Sequence, residues 1–141
     1  MLLHILAVGK IGRCPEADLV DRYLARIAWP VRITESPDGR APKWPTPLAP
    51  HRTLVLDERG KTLDSIAFSA LLGQWRDGGV RETRLLIGGA DGHDDAVRAE
   101  ADFLLSFGPM TWPHMMVRAM LAEQLYRALA ILAGHPYHRA G

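Results

Sequence analysis

Cysteine, lysine and long apolar runs are all scarce in this chain of 141 residues. One cysteine, Cys14, excludes a disulfide framework and a cysteine zinc cluster, and it fits a reducing, cytoplasmic compartment. No apolar run approaches the ~18 residues that a membrane-spanning helix needs. The opening run, residues 1–8, is too short for a signal peptide and lacks its basic flank. We therefore expect neither a membrane nor a metal among the partners.

Charge is nearly balanced, with a formal net charge of +1 and a pI of about 8.0. Of the 17 basic residues, 14 are arginines, whose planar forks match phosphate. A GC-rich genome produces the same bias, so composition alone does not indicate nucleic-acid binding. Apolar residues make up 48% and charged residues 23%, which is typical of a soluble globular protein. The length predicts one domain over residues 1–141.

Strand-like and helix-like segments alternate along the chain. Short apolar or β-rich runs predict strands at residues 2–8, 31–35, 53–57, 84–87 and 103–107. Helical spacing of apolar residues predicts helices from Pro15 to before Pro30, from Asp64 or Ser65 through Trp75, over residues 94–101, and over 114–132. Strands separated by helices predict an α/β fold, a mostly parallel sheet with helices on both faces.

Residues 37–50 differ from the rest because they contain five of the ten prolines. Proline cannot continue a helix or a central strand. The segment is therefore predicted to be a loop or an extended linker.

Three predicted strands end in loops that could form one pocket: residues 57–61, 88–92 and 108–113. In parallel sheets, ligands bind beyond the carboxyl ends of the strands. The glycines of the second loop allow a ligand to approach the backbone closely, although a tight strand-to-helix turn needs them too. Their spacing matches neither the dinucleotide-binding nor the phosphate-binding glycine motif, which disfavours NAD or ATP.

The last helix and the tail after it carry polar groups beside a packing face. Arg118 and Arg127 are nine residues apart, about 180° around a helix, so they cannot serve one site on one face. Either one of them is structural, or the helix is covered on two sides, for example by a second subunit. Glu123 lies four residues before Arg127 and can pair with it. The tail, residues 135–139, combines groups that can stack on a base, contact phosphate or move a proton, but it could also be a plain polar tail or a weak metal site.

Taken in order, several segments together resemble one known family. They read LDERGK at 56–61, LIGGADG at 86–92, LSFGPMTWPH at 105–114, EQLYRA at 123–128 and GHPYHR at 134–139. This set resembles the RlmH family of SPOUT-class methyltransferases, which modify N3 of a pseudouridine in large-subunit ribosomal RNA. The resemblance implies S-adenosylmethionine as methyl donor, a C-terminal trefoil knot, a homodimer packed through the knot region, and 23S rRNA in the ribosome as partner.

The resemblance also implies a set of site residues. Carried over to this sequence, the cofactor-binding positions are Leu56, Gly88, Phe107, Gly108, Pro109, Met110, Thr111 and Trp112. The expected catalytic residues are Arg127, Tyr137, His138 and Arg139. Either arginine could stabilise an anionic base, and His138 or Tyr137 could provide a route for its proton. We expect the tail of one subunit to complete the site of its partner.

One departure from the family pattern is the Pro-rich segment, which replaces a longer, basic and helical stretch. It puts in doubt any RNA contact made there, and it leaves the cofactor loops untouched. Two other functions stay open: a non-catalytic ribosome- or RNA-binding protein that keeps the knotted fold, and a related methyltransferase acting on tRNA. Measurements of cofactor binding and methyl transfer distinguish the non-catalytic binding protein from an enzyme. Mapping the methylated positions in ribosomal RNA and tRNA distinguishes the tRNA methyltransferase.

Overall fold

A computed structural model describes residues 1–139, which form five strands and four helices over that range. The strands are β1 (Leu2–Val8), β2 (Val31–Ser36), β3 (His51–Lys61), β4 (Glu82–Ile87) and β5 (Phe103–Leu105). The helices are α1 (Pro15–Leu24), α2 (Ser65–Asp77), α3 (Asp95–Glu100) and α4 (His114–Leu132). No helix in this range is long and apolar enough to span a bilayer.

The five strands form one sheet in the order β2-β1-β4-β3-β5, and all four pairings between them are parallel. The predicted α/β class with a mostly parallel sheet is therefore confirmed. Because β4, β3 and β5 are neighbours and run in the same direction, their carboxyl ends lie side by side at one edge.

The first face of the sheet carries the main core. Alternate side chains of the central strands, such as Ile5 and Leu85, are fully buried there. They pack with Leu72 of α2 and with Leu121 and Leu125 of α4. Each buried leucine contributes about 1.5–3 kcal/mol relative to an exposed one. Helix α4 also packs against α1 through Ala119 and Ala122, so it is covered by helices on two sides.

The opposite face is covered more thinly. Leu6, Val55 and Leu86 point there and pack against Val97 of α3 and Trp44 of the Pro-rich segment. Helices therefore lie on both faces as predicted. On this face, however, the extended Pro-rich segment and the short α3 together cover the sheet. The reason is steric: the prolines exclude a helix, while an indole ring supplies the apolar area.

The Pro-rich segment is also hydrogen-bonded to the sheet at several points. Arg84 donates to the carbonyl of Pro45, and the N–H of Leu48 donates to Glu82 Oε1 over 3.3 Å. The Arg81 N–H donates to the Pro50 carbonyl over 2.8 Å. The predicted extended segment is confirmed, and it packs against the sheet as a cover.

A polar network lies beneath this cover. Glu82 accepts from Arg84 Nε over 2.6 Å, and one oxygen lies 3.3 Å from His4 Nδ1, while His4 Nε2 lies 2.7 Å from the Thr34 hydroxyl. Burial lowers the pKa of His4 and outweighs the opposing effect of Glu82. Burial raises the pKa of Glu82, but the hydrogen bonds from Arg84 and Leu48 outweigh it and the net shift is downward. The pair is therefore a neutral imidazole beside a carboxylate.

Two predicted boundaries are wrong in a way that matters for the site. Residues 57–61 are not a loop, because β3 continues to Lys61 through an irregularity in its pairing with β5. Gly60 permits the irregularity, since a Cβ there would lie 2.6 Å from the Leu104 carbonyl. Strand β5 ends at Leu105 rather than at Phe107. Periodicity misses such a bulge because its cause is a contact with another strand.

Candidate active site

Three strand-end segments enclose a cavity of about 500 Å³ at the carboxyl edge of the sheet. They are the end of β3, the glycine turn after β4 and the loop between β5 and α4, as predicted. Of the expected cofactor positions, those that line this cavity are Leu56, Gly88, Phe107, Gly108, Met110, Thr111 and Trp112. Pro109 belongs to the same loop but is not part of the cavity wall in the described structure. We call this the strand-end cavity.

The glycine turn leaves no room for side chains at its tightest point. A Cβ on buried Gly88 would lie 2.9 Å from the carbonyl carbon of Gly92, well inside normal contact. The turn is closed by the Gly92 N–H, which donates to the Gly89 carbonyl over 3.0 Å, and Gly92 has a φ of 74°. Glycine is required here both for the close approach and for the left-handed conformation. The wall of the cavity is therefore largely backbone.

Arg98 of α3 ties two of the three segments together. Its guanidinium donates to Asp57 Oδ2 over 3.1 Å, to the His93 carbonyl over 2.5 Å and to Asp95 over 2.5 Å. The first bond holds the end of β3, and the second holds the glycine turn. The sequence analysis did not identify Arg98, because only its i,i+3 spacing from Asp95 is visible there.

His93 presents a buried polar atom at this cavity. Its Nε2 is inaccessible to solvent and has no hydrogen-bond partner within residues 1–139. Burial lowers the pKa of His93, although the nearby Asp57 carboxylate acts in the other direction. A buried polar atom without a partner calls for an explanation, and a bound water, ion or polar ligand is one explanation. This nitrogen and the backbone-lined turn both fit a small organic molecule that carries polar groups.

The loop after β5 forms the third wall. Ser106 fastens its start, because the hydroxyl lies 3.0 Å from both the N–H and the carbonyl oxygen of Gly108. Trp112 Nε1 donates to the Phe107 carbonyl over 3.4 Å, which closes the loop on itself. Met110 and Trp112 are 72% and 40% exposed. The loop therefore lines the cavity with a fixed backbone and with partly exposed apolar side chains.

A second, larger groove of about 1030 Å³ runs between α1, α2 and α4. Of the expected catalytic residues, Arg127, His138 and Arg139 line it. Phe107 and Gly108 line both this groove and the strand-end cavity, so the two spaces share a wall. Within one chain the catalytic and cofactor candidates thus occupy neighbouring spaces and not a common one. We call the larger space the helical groove.

Arg127 organises the catalytic candidates. Its Nε donates to Glu123 Oε1 over 2.7 Å, and its Nη1 lies 3.1 Å from His138 Nδ1. The guanidinium carbon lies 4.8 Å from the centre of the Tyr137 ring, a cation–π contact. The hydrogen bond from Arg127 to Glu123 raises the pKa of the guanidinium, which is charged in any case. The predicted Glu123–Arg127 pair is confirmed, and it is half-buried.

Tyr137 lies within a cluster of aromatic rings. Its ring centre is 4.6 Å from that of Tyr126, and Tyr126 lies 6.1 Å from Tyr23 of α1. Burial raises the pKa of Tyr137, and a hydrogen bond with Tyr23 adds to the effect. The phenol is therefore protonated at neutral pH. Tyr137 and His138 thus hold the tail against α4 through Tyr126 and Arg127.

Arg118 is structural, which is one of the two alternatives that its position opposite Arg127 on the helix left open. It is 1% exposed and donates to Glu35 and, over 3.1 Å, to the Gly9 carbonyl. Burial raises the pKa of Glu35, but hydrogen bonds from Arg118 and the Ile11 N–H more than offset it, so the pKa is lowered. Arg118 thus joins α4 to β1 and β2 and does not line the helical groove.

Comparison with known proteins decides the family. A family model described as "Predicted SPOUT methyltransferase" matches residues 1–138. The chain belongs to this SPOUT methyltransferase family. Relatives named "Ribosomal RNA large subunit methyltransferase H" match over their whole length and the whole of this chain. Those from Novosphingobium aromaticivorans, Rhizorhabdus wittichii and Erythrobacter litoralis are 62%, 64% and 59% identical.

As a SPOUT methyltransferase, the protein requires a methyl donor and an acceptor. Two adjoining spaces are available, one lined by backbone and one lined by the cationic tail. No group of three or more His, Cys, Asp or Glu side chains in residues 1–139 is arranged to hold a metal ion. The polar side chains that line the two spaces include arginine, imidazole, hydroxyl and carboxylate groups.

Proposed function

We propose that the protein transfers a methyl group from S-adenosylmethionine to N3 of a pseudouridine in 23S rRNA. The observation that carries this proposal is the shared wall at Phe107 and Gly108, which separates a backbone-lined cavity from a groove lined by Arg127 and His138. A donor in the first space would lie next to an acceptor in the second. The names of the full-length relatives support ribosomal RNA as the substrate.

The strand-end cavity is the proposed donor site. Leu56, Gly88 and the loop 107–112 would hold the cofactor mainly through backbone groups, as their close-packed geometry favours. His93 Nε2 is a further polar group that the cofactor could satisfy. When bound, S-adenosylmethionine supplies a methyl group activated by a positively charged sulfur. The protein then has to place the acceptor in line with it.

The tail and Arg127 are the proposed acceptor site. Before a bond from N3 to the methyl carbon can form, N3 must lose its proton, which passes to solvent water. The deprotonated base carries negative charge until the methyl group leaves the sulfur and bonds to N3, which makes the base neutral. The guanidinium groups of Arg127 and Arg139 would stabilise that anion. His138 and Tyr137 lie beside Arg127 and can hydrogen-bond the base.

A homodimer is the proposed active unit, with each chain forming one SPOUT domain whose C-terminal part carries the family's trefoil knot. The helical groove exposes apolar side chains, among them Leu19, Ile66 and Met116 at 36%, 54% and 40%. A second copy would cover them and bring its tail toward the donor cavity. We also propose that the dimer works in the cytoplasm, where its ribosomal substrate is made.

Calorimetric titration with S-adenosylmethionine tests the donor site. Gly88→Arg should abolish binding, because a side chain at Gly88 collides with Gly92. Gly78→Arg is the matched control: Gly78 ends α2 with a φ of −79°, which other residues adopt, and it does not line the cavity. Saturable binding lost only in Gly88→Arg supports the site. Equal binding by both variants contradicts it.

Mapping of methyl groups in RNA tests the substrate. The purified protein is incubated with ribosomes, large subunits, free 23S rRNA or tRNA and a labelled donor, and the products are sequenced for the modified base. Label on a 23S pseudouridine supports the proposal, whereas label on tRNA overturns it. Cofactor binding without any transfer favours a non-catalytic ribosome- or RNA-binding protein.

Mixed dimers test the shared site. Gly88→Arg chains, which lose the donor cavity but keep the tail, and His138→Ala chains, which keep the cavity, are each assayed alone and then after mixing. If the two residues act across the interface, mixing restores one working site per mixed dimer. If each variant is inactive alone and mixing restores nothing, the shared-site arrangement is wrong.

A further inference from the structure

Glu123, Arg127 and His138 form a chain of hydrogen bonds along one side of the helical groove. Glu123 Oε1 accepts from Arg127 Nε over 2.7 Å, and Arg127 Nη1 lies 3.1 Å from His138 Nδ1. All three side chains are partly buried, with Arg127 and Glu123 at 23% and 19% exposure. These three hydrogen-bonded side chains are therefore partly shielded from water. Hydrogen bonds that are shielded in this way hold their partners in a fixed orientation better than exposed ones do.

The chemistry of arginine decides the direction of the second bond. A guanidinium has five N–H donors and no acceptor, and it stays protonated in proteins. His138 Nδ1 must therefore accept, so the lone pair of Nδ1 is engaged. In a neutral imidazole the single proton then lies on Nε2.

We propose that Glu123 is a positioning residue which, through Arg127, holds His138 in the Nε2–H tautomer, so that His138 donates a hydrogen bond to the target base. The inference rests on the proposed function, since it names the role of one residue in that site. Neither ring nitrogen of His138 then offers a free lone pair. The imidazole is thus a hydrogen-bond donor rather than the proton acceptor that its residue type suggests.

A donor at this position suits the proposed reaction. The two carbonyl oxygens of a uracil ring flank N3, and they take up the negative charge as N3 loses its proton to solvent water. A preorganised N–H directed at such an oxygen stabilises charge where it develops. Tyr137 contributes in the same sense, because it stays a phenol beside Arg127 and Tyr23. The group as a whole stabilises an anion.

Glu123 matters because it is the partner that orients the guanidinium. With Nε bonded to Glu123, the plane of the Arg127 fork directs Nη1 at the imidazole. Without that carboxylate the arginine can turn away, Nδ1 loses its donor, and the two tautomers of His138 mix. The loss is then visible in the free protein, with no substrate present.

Nitrogen NMR of the histidine rings in the full-length protein tests the tautomer. Spectra of 15N-labelled protein are recorded at about pH 8.5, where an ordinary imidazole with a pKa of about 6.5 is neutral. The His138 signals are assigned by their loss in His138→Gln. Exposed His51 at the start of β3 is an internal reference. We expect His138 to show the Nε2–H pattern more completely than His51, and Glu123→Ala, which removes the acceptor of Arg127 Nε, to shift it toward the His51 pattern.

The matched control is Glu100→Ala, which removes a carboxylate in the same way at an exposed position of α3. It should leave the His138 pattern unchanged. A His138 pattern in the wild-type protein that equals that of His51, or that carries the proton on Nδ1, overturns the inference. So does a Glu123→Ala spectrum identical to the wild type.

Kinetics of methyl transfer distinguish a donor from a base. A glutamine at position 138 can place an N–H near the Nε2 position but cannot accept a proton at neutral pH. We expect His138→Gln to keep kcat within about tenfold of the wild type, and His138→Ala to lower it by about 10²–10³-fold, the usual cost of losing one preorganised donor. Equal losses in the two variants would make His138 a base and refute the donor role.

The two tests separate this inference from the proposed function. The NMR measurement needs neither cofactor nor RNA, so it can succeed even if methyl transfer to 23S rRNA is absent. Conversely, a protein that methylates 23S rRNA while its His138 shows mixed tautomers retains the proposed function and loses this inference.

Discussion

Replacing Glu35 should destabilise the protein, because this carboxylate neutralises the most deeply buried cation of α4. Arg118 is 1% exposed, and its Nε already lacks a hydrogen-bond partner in residues 1–139. Glu35→Ala leaves only the Gly9 carbonyl, 3.1 Å from Nη2, among the bonds that Arg118 makes in this range. It also removes the acceptor of the Ile11 N–H, 2.9 Å away.

The magnitude follows from the burial of the two partners. Removing one member of a buried ion pair costs about 3–5 kcal/mol, because the other charge is left uncompensated. The Glu35 side chain is 29% exposed, so water can reach the vacated position and the lower end, about 3 kcal/mol, applies. Glu35→Gln keeps an acceptor of the same shape and should cost about 1–2 kcal/mol. Adding Arg118→Met to Glu35→Gln should recover part of the loss, since it removes the unpaired charge.

Urea unfolding at fixed protein concentration measures these free energies. With a slope of about 2 kcal/mol per molar urea, Glu35→Ala should lower the midpoint by about 1.5 M. The pKa of Glu35 is lowered in the folded protein, so its contribution is complete above the unfolded value of about 4.3 and is lost as the pH falls through the folded pKa. The difference between wild type and Glu35→Gln should therefore shrink in acid. A Glu35→Ala midpoint within about 0.3 M of the wild type would refute the importance of this pair.

Three further measurements address the cavity, the cover and the buried imidazoles. Gly88→Ala should weaken S-adenosylmethionine binding by at least about tenfold in calorimetry, because its Cβ would lie 2.9 Å from the Gly92 carbonyl carbon, while Gly78→Ala should not. Trp44→Ala should cost about 2 kcal/mol in urea unfolding, less than a fully buried tryptophan because the ring is half-buried; no change would mean that the Pro-rich cover is not packed. Burial lowers the pKa values of His4 and His93, so below about pH 6.5 the unfolded chain binds more protons than the folded protein. The free energy of unfolding should therefore fall as the pH drops below that value, by at most about 1.4 kcal/mol per pH unit for each group. His4→Gln should flatten that slope, and an unchanged slope would show that His4 does not cause it.

Much of the fold could be predicted because local signals were strong. The short apolar run at residues 2–8 predicted a buried strand, and it forms β1, whose interior residues are all buried. Asp64 and Asp94 cap α2 and α3 by accepting from Ala67 and Val97, as their position before the helices indicates. Such interactions join residues only three or four positions apart, so they can be predicted from the local sequence.

The strand-end cavity was predictable for a topological reason. Loops that follow adjacent parallel strands must emerge at the same edge, so Leu56, Gly88 and Gly108 were expected to meet, and they do. The bulge at Gly60, the Arg98 bonds to Asp57 and His93, and the unsatisfied nitrogen of His93 were not expected. Each depends on contacts between segments that the sequence does not place next to each other.

The sequence by itself determined the class of fold, the edge of the sheet that carries the cavity, and the family to which the ordered motifs belong. Only the tertiary structure decided that residues 37–50 cover a sheet face, that Arg118 is structural, and that Arg127 sets the direction of the hydrogen bond to His138. The physical reason is distance along the chain. Periodicity and capping act over a few residues, whereas the Arg118–Glu35 pair joins positions 83 residues apart, and its geometry exists only once the helices have packed on the sheet.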